Sequence, residues 1–157
     1  MIHSTSELLD GLTAAAQQSP RLRMNHNLHP SDDSRCHRLL NAVEPGTYIR
    51  PHRHLDPEKD ETFVLVRGRL GLIEFDTHGV VTATTLLVAG SAHCIATIPH
   101  GSYHTAVSLC SGTIFFEAKA GPYSPITEQE KATWAPEDGS DKQPAYLDGL
   151  CALFSQP

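Results

Sequence analysis

Short segments of alternating apolar and polar residues, separated by turns, fill the middle of the chain. Such alternation, with a period of two, is typical of strands that bury one face. Glycines such as Gly68, Gly79 and Gly101 mark breaks between the segments. The pattern predicts strands at 21–26, 47–52, 61–67, 69–76, 79–88, 92–98, 103–109 and 112–119. A series of short strands of this kind indicates an antiparallel sandwich or barrel.

The N-terminal segment has a different spacing, which is that of an amphipathic helix. Between residues 4 and 18, Leu8 and Leu12 fall on one helical face, and Ser6 is available as a cap. Pro20 follows soon after, where a helix would have to end. We therefore expect a short N-terminal helix within residues 1–20.

The region after residue 122 is polar and contains several prolines, which sets it apart from the predicted strands. Near its end, residues 145–154 have apolar side chains on one side of a helical projection, including Leu147 and Leu150. We expect this C-terminal extension, residues 123–157, to pack on a β-barrel formed by residues 21–122 and to end in a helix.

Length and charge limit the class of protein. A chain of 157 residues is most simply one domain. The net charge of −6 and a total of 12 Lys and Arg argue against nucleic acid as the main partner. No apolar run approaches the ~20 residues that span a bilayer, and the first residues lack the pattern of a signal peptide. With four widely spaced cysteines, these features predict a cytoplasmic protein whose thiols are reduced.

Three histidines and one carboxylate have the spacing of a metal site. His52 and His54 point to the same face of a strand, because side chains alternate. Glu61 opens the next apolar run after a polar turn, and His104 opens another strand. Imidazole and carboxylate donors suit one divalent transition metal per chain, and Fe, Mn, Ni, Cu and Zn all remain open.

These four residues also fall in the two signature motifs of the cupin superfamily, which the chain resembles. The first motif is Gly, five residues, His-x-His, a spacer, Glu, six residues and Gly. Its spacer is six residues here, where three or four are usual. The residues that fit the first motif are Gly46, His52, His54, Glu61 and Gly68.

The second cupin motif is Gly, five residues, Pro-x-Gly, two residues, His, three residues and Asn. Pro99, Gly101 and His104 match it. His93 stands where the motif has Gly, and Ser108 stands where it has Asn. The second match is therefore less complete than the first.

The identity of the carboxylate ligand is not fixed by residue type alone. Asp60 or Glu58 could take the place of Glu61. Glu61 is preferred because it alone keeps the motif's six-residue gap to Gly68.

Longer stretches resemble the WbuC-type cupin-fold metalloproteins, namely SPRLRMNHNLH, RLLNAVEPGTYIRPHRHLDPEKDETFVLVRGRLGLIEFD and IFFEAKAGPYSPI. The resemblance implies an all-β, single-domain jelly-roll barrel with one metal ion inside. It also predicts a strand at 36–44, whose residues by themselves favour helix. Members of that family are often associated with bacterial surface-polysaccharide loci, so the resemblance favours a sugar or nucleotide-sugar as the small-molecule ligand.

Strand parity nominates further residues for the pocket. Tyr48 and Arg50 share the predicted face of His52, and an Arg beside a metal could hold an anionic group. Tyr103 and His100 flank the second motif and could donate protons at the rim. We take Tyr48, Arg50 and Tyr103 as candidate catalytic residues. The alternative for Arg50 is a position in water or a pair with a surface acid, and the alternative for Tyr103 and His100 is a hydrogen bond to the backbone or to water.

Two sets of polar residues each have a functional interpretation and a purely structural one. Arg21, Arg23 and Asn25 could form an anion-binding ledge at the barrel entrance, but a solvated strand face is the simpler interpretation. Glu117 and Lys119 could face the cavity, but an exposed cross-strand pair is the default.

The functional expectation is a metal-dependent enzyme acting on a small polar molecule by isomerisation, epimerisation or elimination. An Fe(II)-dependent dioxygenase and a non-catalytic metal or ligand sensor are the alternatives. Because cupin barrels often dimerise through their sheets, the resemblance also implies a homodimer.

Overall fold

Two antiparallel sheets and two helices make up residues 3–155, the part of the chain that the computed structural model describes. The all-β prediction and both predicted helices are confirmed. In chain order the elements are α1 (Ser6–Gln18), β1 (Arg23–Asn27), β2 (Cys36–Val43), β3 (Glu61–Arg67), β4 (Arg69–Phe75), β5 (Val81–Val88), β6 (Ile95–Ile98), β7 (Tyr103–Ser108), β8 (Thr113–Ala120) and α2 (Gln143–Ala152).

The larger sheet has the strand order β1-β2-β8-β3-β6, and the smaller one has the order β5-β4-β7. The facing sides of the two sheets bury one apolar cluster, which includes Phe63, Leu65, Leu72 and Phe115. β2 forms although its residues favour helix, because it pairs with strands on both sides, and β-structure depends on such context. The predicted strand at 36–44 is thereby confirmed.

Helix α1 covers the outer face of the larger sheet. Leu12 and Ala16 are buried there against Leu40 and Ile114. Burial of one such leucine contributes about 1.5–3 kcal/mol. The predicted cap Ser6 is wrong by one residue, because the side chain of Thr5 accepts the hydrogen bond from Leu8 N at 3.2 Å.

Helix α2 covers the outer face of the smaller sheet. Leu147 and Leu150 pack there with Ile73 and Val107. The C-terminal segment therefore contacts the sheet on the side opposite to the space between the two sheets.

The predicted strand at 47–52 is wrong. These residues form no regular strand, and only His52 makes an isolated bridge, to His104 and to Lys131. Tyr48 joins the outer cluster beneath α2, whereas its neighbour Ile49 packs against the inner core. Pro51 has no N–H for a strand ladder, so the period of two does not continue from Tyr48 to His52.

Candidate metal centre

His52 and His104 are held side by side by their backbones. His52 N donates to His104 O at 3.1 Å, and His104 N donates to His52 O at 2.9 Å. Their ring centroids lie 4.7 Å apart. Each Nδ1 lies 3.0 Å from the carbonyl oxygen two residues earlier, Arg50 O and Ser102 O. A carbonyl can only accept, so each Nδ1 carries the proton and a neutral ring keeps its Nε2 lone pair for another partner.

Glu61 is the first residue of β3 and is 2% exposed. Its Oε1 accepts hydrogen bonds from His54 Nε2 at 3.0 Å and from Lys119 Nζ at 2.7 Å. Its Oε2 lies 2.9 Å from His104 Nε2, but within residues 3–155 no group donates a hydrogen bond to it. A buried carboxylate oxygen without a donor is costly, and a cation would satisfy it.

The donor set fits a transition-metal ion. One donor atom each from His52, His54 and Glu61 lies within 4.8 Å of the other two. Donors bound to one ion at about 2.0–2.2 Å lie no more than about 4.4 Å apart, so side-chain shifts below one ångström would suffice. His104 adjoins this trio through the second oxygen of Glu61. The structure thus brings all four predicted ligand residues into one cluster, in which His54, Glu61 and His104 are buried and His52 is half-buried.

Burial and neighbouring charges shift the pKa values of the cluster's ionisable groups in different directions. Burial and then the charge of His104 lower the pKa of His52 to about 3, so this ring is neutral at neutral pH. Burial lowers the pKa of His104, but the contact with Glu61 outweighs it, so that the pKa is raised overall. For Glu61, burial raises the pKa, but His104, His54 and Lys119 together bring it well below its usual value. The carboxylate is therefore ionised and able to accept a cation.

The alternative carboxylates lie elsewhere. Asp60 Oδ1 accepts from His100 N at 2.8 Å and lies 3.0 Å from His100 Nδ1, on the surface. Glu58 is exposed in the preceding turn. Of the three candidates, Glu61 is the one that the structure places among the imidazoles. The imidazole of His100 is therefore engaged with Asp60 at the surface.

The expected positions of Tyr48 and Arg50 on the metal side are wrong, because neither lines the cavity beside the imidazoles. Tyr103, which we expect at the rim, does not line the cavity either. The Tyr48 hydroxyl donates to Pro136 O at 2.7 Å, and Arg50 Nη2 donates to Ala132 O at 2.9 Å. Tyr103 packs edge-on against Trp134. The break in alternation at Pro51 turns the first two outward, and Tyr103 points outward because its neighbour His104 points inward.

A cavity of about 540 Å³ is lined by residues of both sheets and reaches the cluster. Glu117 and Lys119 line it together with His52, Glu61 and His104. The default interpretation of Glu117 and Lys119 as an exposed pair is therefore wrong. Their parity could have shown this, because both share a face of β8 with the buried Phe115.

The buried Glu117 and the half-buried Lys119 form a pair beside the imidazoles. Lys119 Nζ lies 2.6 Å from Glu117 Oε1, and Asn41 Nδ2 donates to Glu117 Oε2 at 2.7 Å. Burial raises the pKa of Glu117, although the charge of Lys119 acts in the opposite direction. Burial lowers the pKa of Lys119, but Glu117 and Glu61 outweigh it and raise the pKa overall. A carboxyl with a raised pKa in a cavity is suited to proton transfer.

Residues 4–87 match a family model described as "Domain of unknown function (DUF6016)". No curated protein matches the sequence. Within residues 3–155, no helix combines the length and the hydropathy needed to cross a bilayer.

Solved structures share the fold at low identity. A protein from Shewanella oneidensis superposes with a TM-score of 0.57 and 14% identity, over 76% of this chain and 84% of that one. KdgF from Halomonas sp. gives 0.52 and 17%, over 68% and 85%. A cupin superfamily protein from Desulfitobacterium hafniense DCB-2 gives 0.52 and 13%, over 69% and 86%. These similarities confirm the predicted cupin jelly roll.

Proposed function

Since the chain belongs to the family described as "Domain of unknown function (DUF6016)", a description that assigns no activity, we propose a function from the site itself. The protein is a metal-dependent enzyme that moves protons on a small polar molecule, in an isomerisation, epimerisation or elimination. The observation that carries this proposal is that the Glu117–Lys119 pair and the imidazole cluster open into one cavity.

His52, His54 and Glu61, with His104 beside them, are the residues that would hold the ion. The orphaned Glu61 Oε2 and the neutral His52 support this assignment. A divalent ion bound there supplies a Lewis acid that polarises a carbonyl or hydroxyl oxygen of the ligand.

Glu117 is the group that takes or returns the proton. Its carboxyl lines the cavity, and burial raises its pKa above the ordinary value, which suits a group that exchanges a proton with a ligand. Lys119 holds Glu117 Oε1 in place, and Asn41 holds Oε2. Both oxygens are thus oriented before a ligand arrives.

The resemblance to WbuC-type proteins favours a sugar or nucleotide-sugar as the ligand, and hence a role in surface-polysaccharide metabolism. A cytoplasmic location and a homodimer belong to the same proposal. Cys36, Cys94, Cys110 and Cys151 are unpaired, which suits a reducing compartment. The edge position of β1 leaves backbone groups available for a contact between two copies.

Proton transfer can be tested before the natural ligand is known. Metal-loaded protein is incubated with candidate sugars in D2O, and deuterium incorporation at carbon is followed by NMR. We expect the parent to exchange a carbon-bound proton of its ligand and the Glu117→Gln variant to lose this exchange. Glu128→Gln, which changes a carboxylate on the surface, is the matched control.

The alternatives give different results in the same samples. Oxygen uptake by the iron-loaded protein would favour a dioxygenase, because an isomerase consumes none. Tight binding without exchange, product or oxygen uptake would favour a sensor. Exchange that continues unchanged in Glu117→Gln would remove Glu117 from the mechanism.

A further inference from the structure

The cavity continues from the imidazole cluster to a basic end that the proposed chemistry does not use. Arg23, the first residue of β1, and Arg21, two residues before it, line this far end. In the register of the larger sheet, Asn25 lies opposite Asn41, and Asn41 reaches Glu117. We propose that Arg21 and Arg23 bind an oxyanion of the ligand, a carboxylate or a phosphate, while the rest of the ligand extends past the asparagines toward Glu117.

The backbone between the two arginines has an unusual conformation that fixes their positions. Leu22 has a φ of 54°, which is uncommon for a residue with a Cβ. Its carbonyl accepts hydrogen bonds from Glu44 N at 2.9 Å and from Thr47 Oγ1 at 2.6 Å. A costly backbone conformation persists when its surroundings over-determine it, and such positions cluster at ligand sites.

The charges of the two arginines are not neutralised by close acids. Among residues 3–155, no carboxylate lies within ion-pairing distance of either guanidinium. Arg23 Nη1 donates to Tyr48 O at 2.7 Å, which leaves the other N–H groups of the guanidinium for a ligand. Burial and then the charge of Arg21 lower the pKa of Arg23, and Asp138 offsets this in part. An oxyanion at this end would therefore relieve an existing repulsion.

The distance to the cluster suits a single small ligand. The Arg23 guanidinium contacts Tyr48 O, and Tyr48 precedes His52 by four residues. Four extended residues span at most roughly 14 Å. Asparagine amides both donate and accept hydrogen bonds, which suits hydroxyl groups along that distance. The ligand class is therefore a sugar acid or a sugar phosphate. Its anionic end is argued from the two arginines, whereas its reacting end rests on the proposed function.

The test is calorimetric affinity for three sugars that differ at one group: glucuronate, glucose 6-phosphate and glucose. Inorganic phosphate is the minimal probe. The parent is compared with Arg21→Gln and Arg23→Gln, and with Arg38→Gln, an exposed arginine on the opposite face of the same sheet. Arg21 is exposed and its side chain makes no hydrogen bond within residues 3–155, so Arg21→Gln tests binding even if Arg23→Gln disturbs folding.

We expect at least tenfold weaker binding of one acidic sugar in Arg21→Gln and Arg23→Gln, with the affinity for glucose unchanged and Arg38→Gln equal to the parent. The preferred acidic sugar tells carboxylate from phosphate. Equal losses in Arg38→Gln, or no binding of either acidic sugar or of phosphate, would overturn the proposal. Each titration is repeated after treatment with a chelator. Anion binding that survives chelation and depends on the arginines supports the oxyanion site even if the metal proposal fails. Anion binding that needs metal but not the arginines contradicts the oxyanion site.

Discussion

Lys119 Nζ donates a hydrogen bond of 2.7 Å to Glu61 Oε1, from the position directly opposite Glu61 on the neighbouring strand. The predicted carboxylate ligand is therefore already paired with a cation through one of its two oxygens. The same ammonium contacts Glu117, so two buried carboxylates share one positive charge. The cluster has a deficit of positive charge that a second cation would fill.

The Lys119→Met substitution is expected to destabilise metal-free protein by about 3 kcal/mol, because it leaves buried carboxylates without a counter-charge. Addition of a divalent metal should recover part of this loss, since binding to the folded state stabilises it. Urea unfolding in chelator and in excess metal measures both effects. Lys131→Met, which removes an exposed ion pair, should cost less than about 1 kcal/mol. A stability of Lys119→Met equal to that of the parent in chelator would contradict the charge deficit.

The Glu130→Gln substitution is expected to change stability in a pH-dependent way. Burial raises the pKa of Glu130, but hydrogen bonds from Thr127 N, Leu55 N and Thr127 Oγ1 outweigh it and bring the pKa to about 2, below the ordinary 4.5. Because folding lowers this pKa, the ionised carboxylate stabilises the protein above about pH 4.5, and the contribution is lost as the pH falls toward 2. Since the group is largely solvated, we expect the variant to lose about 1 kcal/mol at pH 7.

The check on Glu130 is the difference in unfolding free energy between parent and variant, measured from pH 7 down to pH 3. The difference should shrink below pH 4.5. Glu58→Gln, in the nearby exposed turn, is the matched control. A difference between parent and Glu130→Gln that stays constant down to pH 3 would show that this carboxylate does not act through its charge.

The Gly71→Ala substitution tests the packing of the C-terminal segment. A methyl group on Gly71 would overlap the ring of Phe154, and overpacking of this kind costs about 1–3 kcal/mol. Combination with Phe154→Ala should relieve the overlap, so that the double variant loses less than the sum of the single losses. Gly149→Ala in α2 meets no atom within 4 Å and should stabilise by about 0.5–1 kcal/mol. Additive losses in the double variant would mean that Phe154 does not lie over Gly71.

Much of the fold was predictable because its signals are local. Turn glycines and alternating side chains determined most strands, and the turn at Pro99 and Gly101 placed His104 at the start of β7. The strand at 36–44 needed the family resemblance, since β2 exists through its neighbours β1 and β8 rather than through propensity. The local sequence pattern therefore predicts a strand better where the residues of that strand themselves favour β-structure than where the strand depends on its neighbours.

The site was harder to predict where side-chain direction depends on distant pairing. The alternation rule failed between Tyr48 and His52, because Pro51 interrupts the strand. For Glu117 and Lys119, an exposed pair is the default over a cavity-facing pair because charged residues usually lie at the surface. Their place beside Glu61 follows from the pairing of β8 with β3, which no local pattern contains.

The most direct measurement is the metal content of protein purified without a nickel column and reconstituted with a transition metal. His52→Ala is compared with the parent and with His78→Ala, which changes an exposed histidine in the turn before β5. Elemental analysis should find close to one ion per chain in the parent and in His78→Ala, and a loss of most of it in His52→Ala. Unchanged metal content in His52→Ala, or none in the reconstituted parent, would contradict the metal centre.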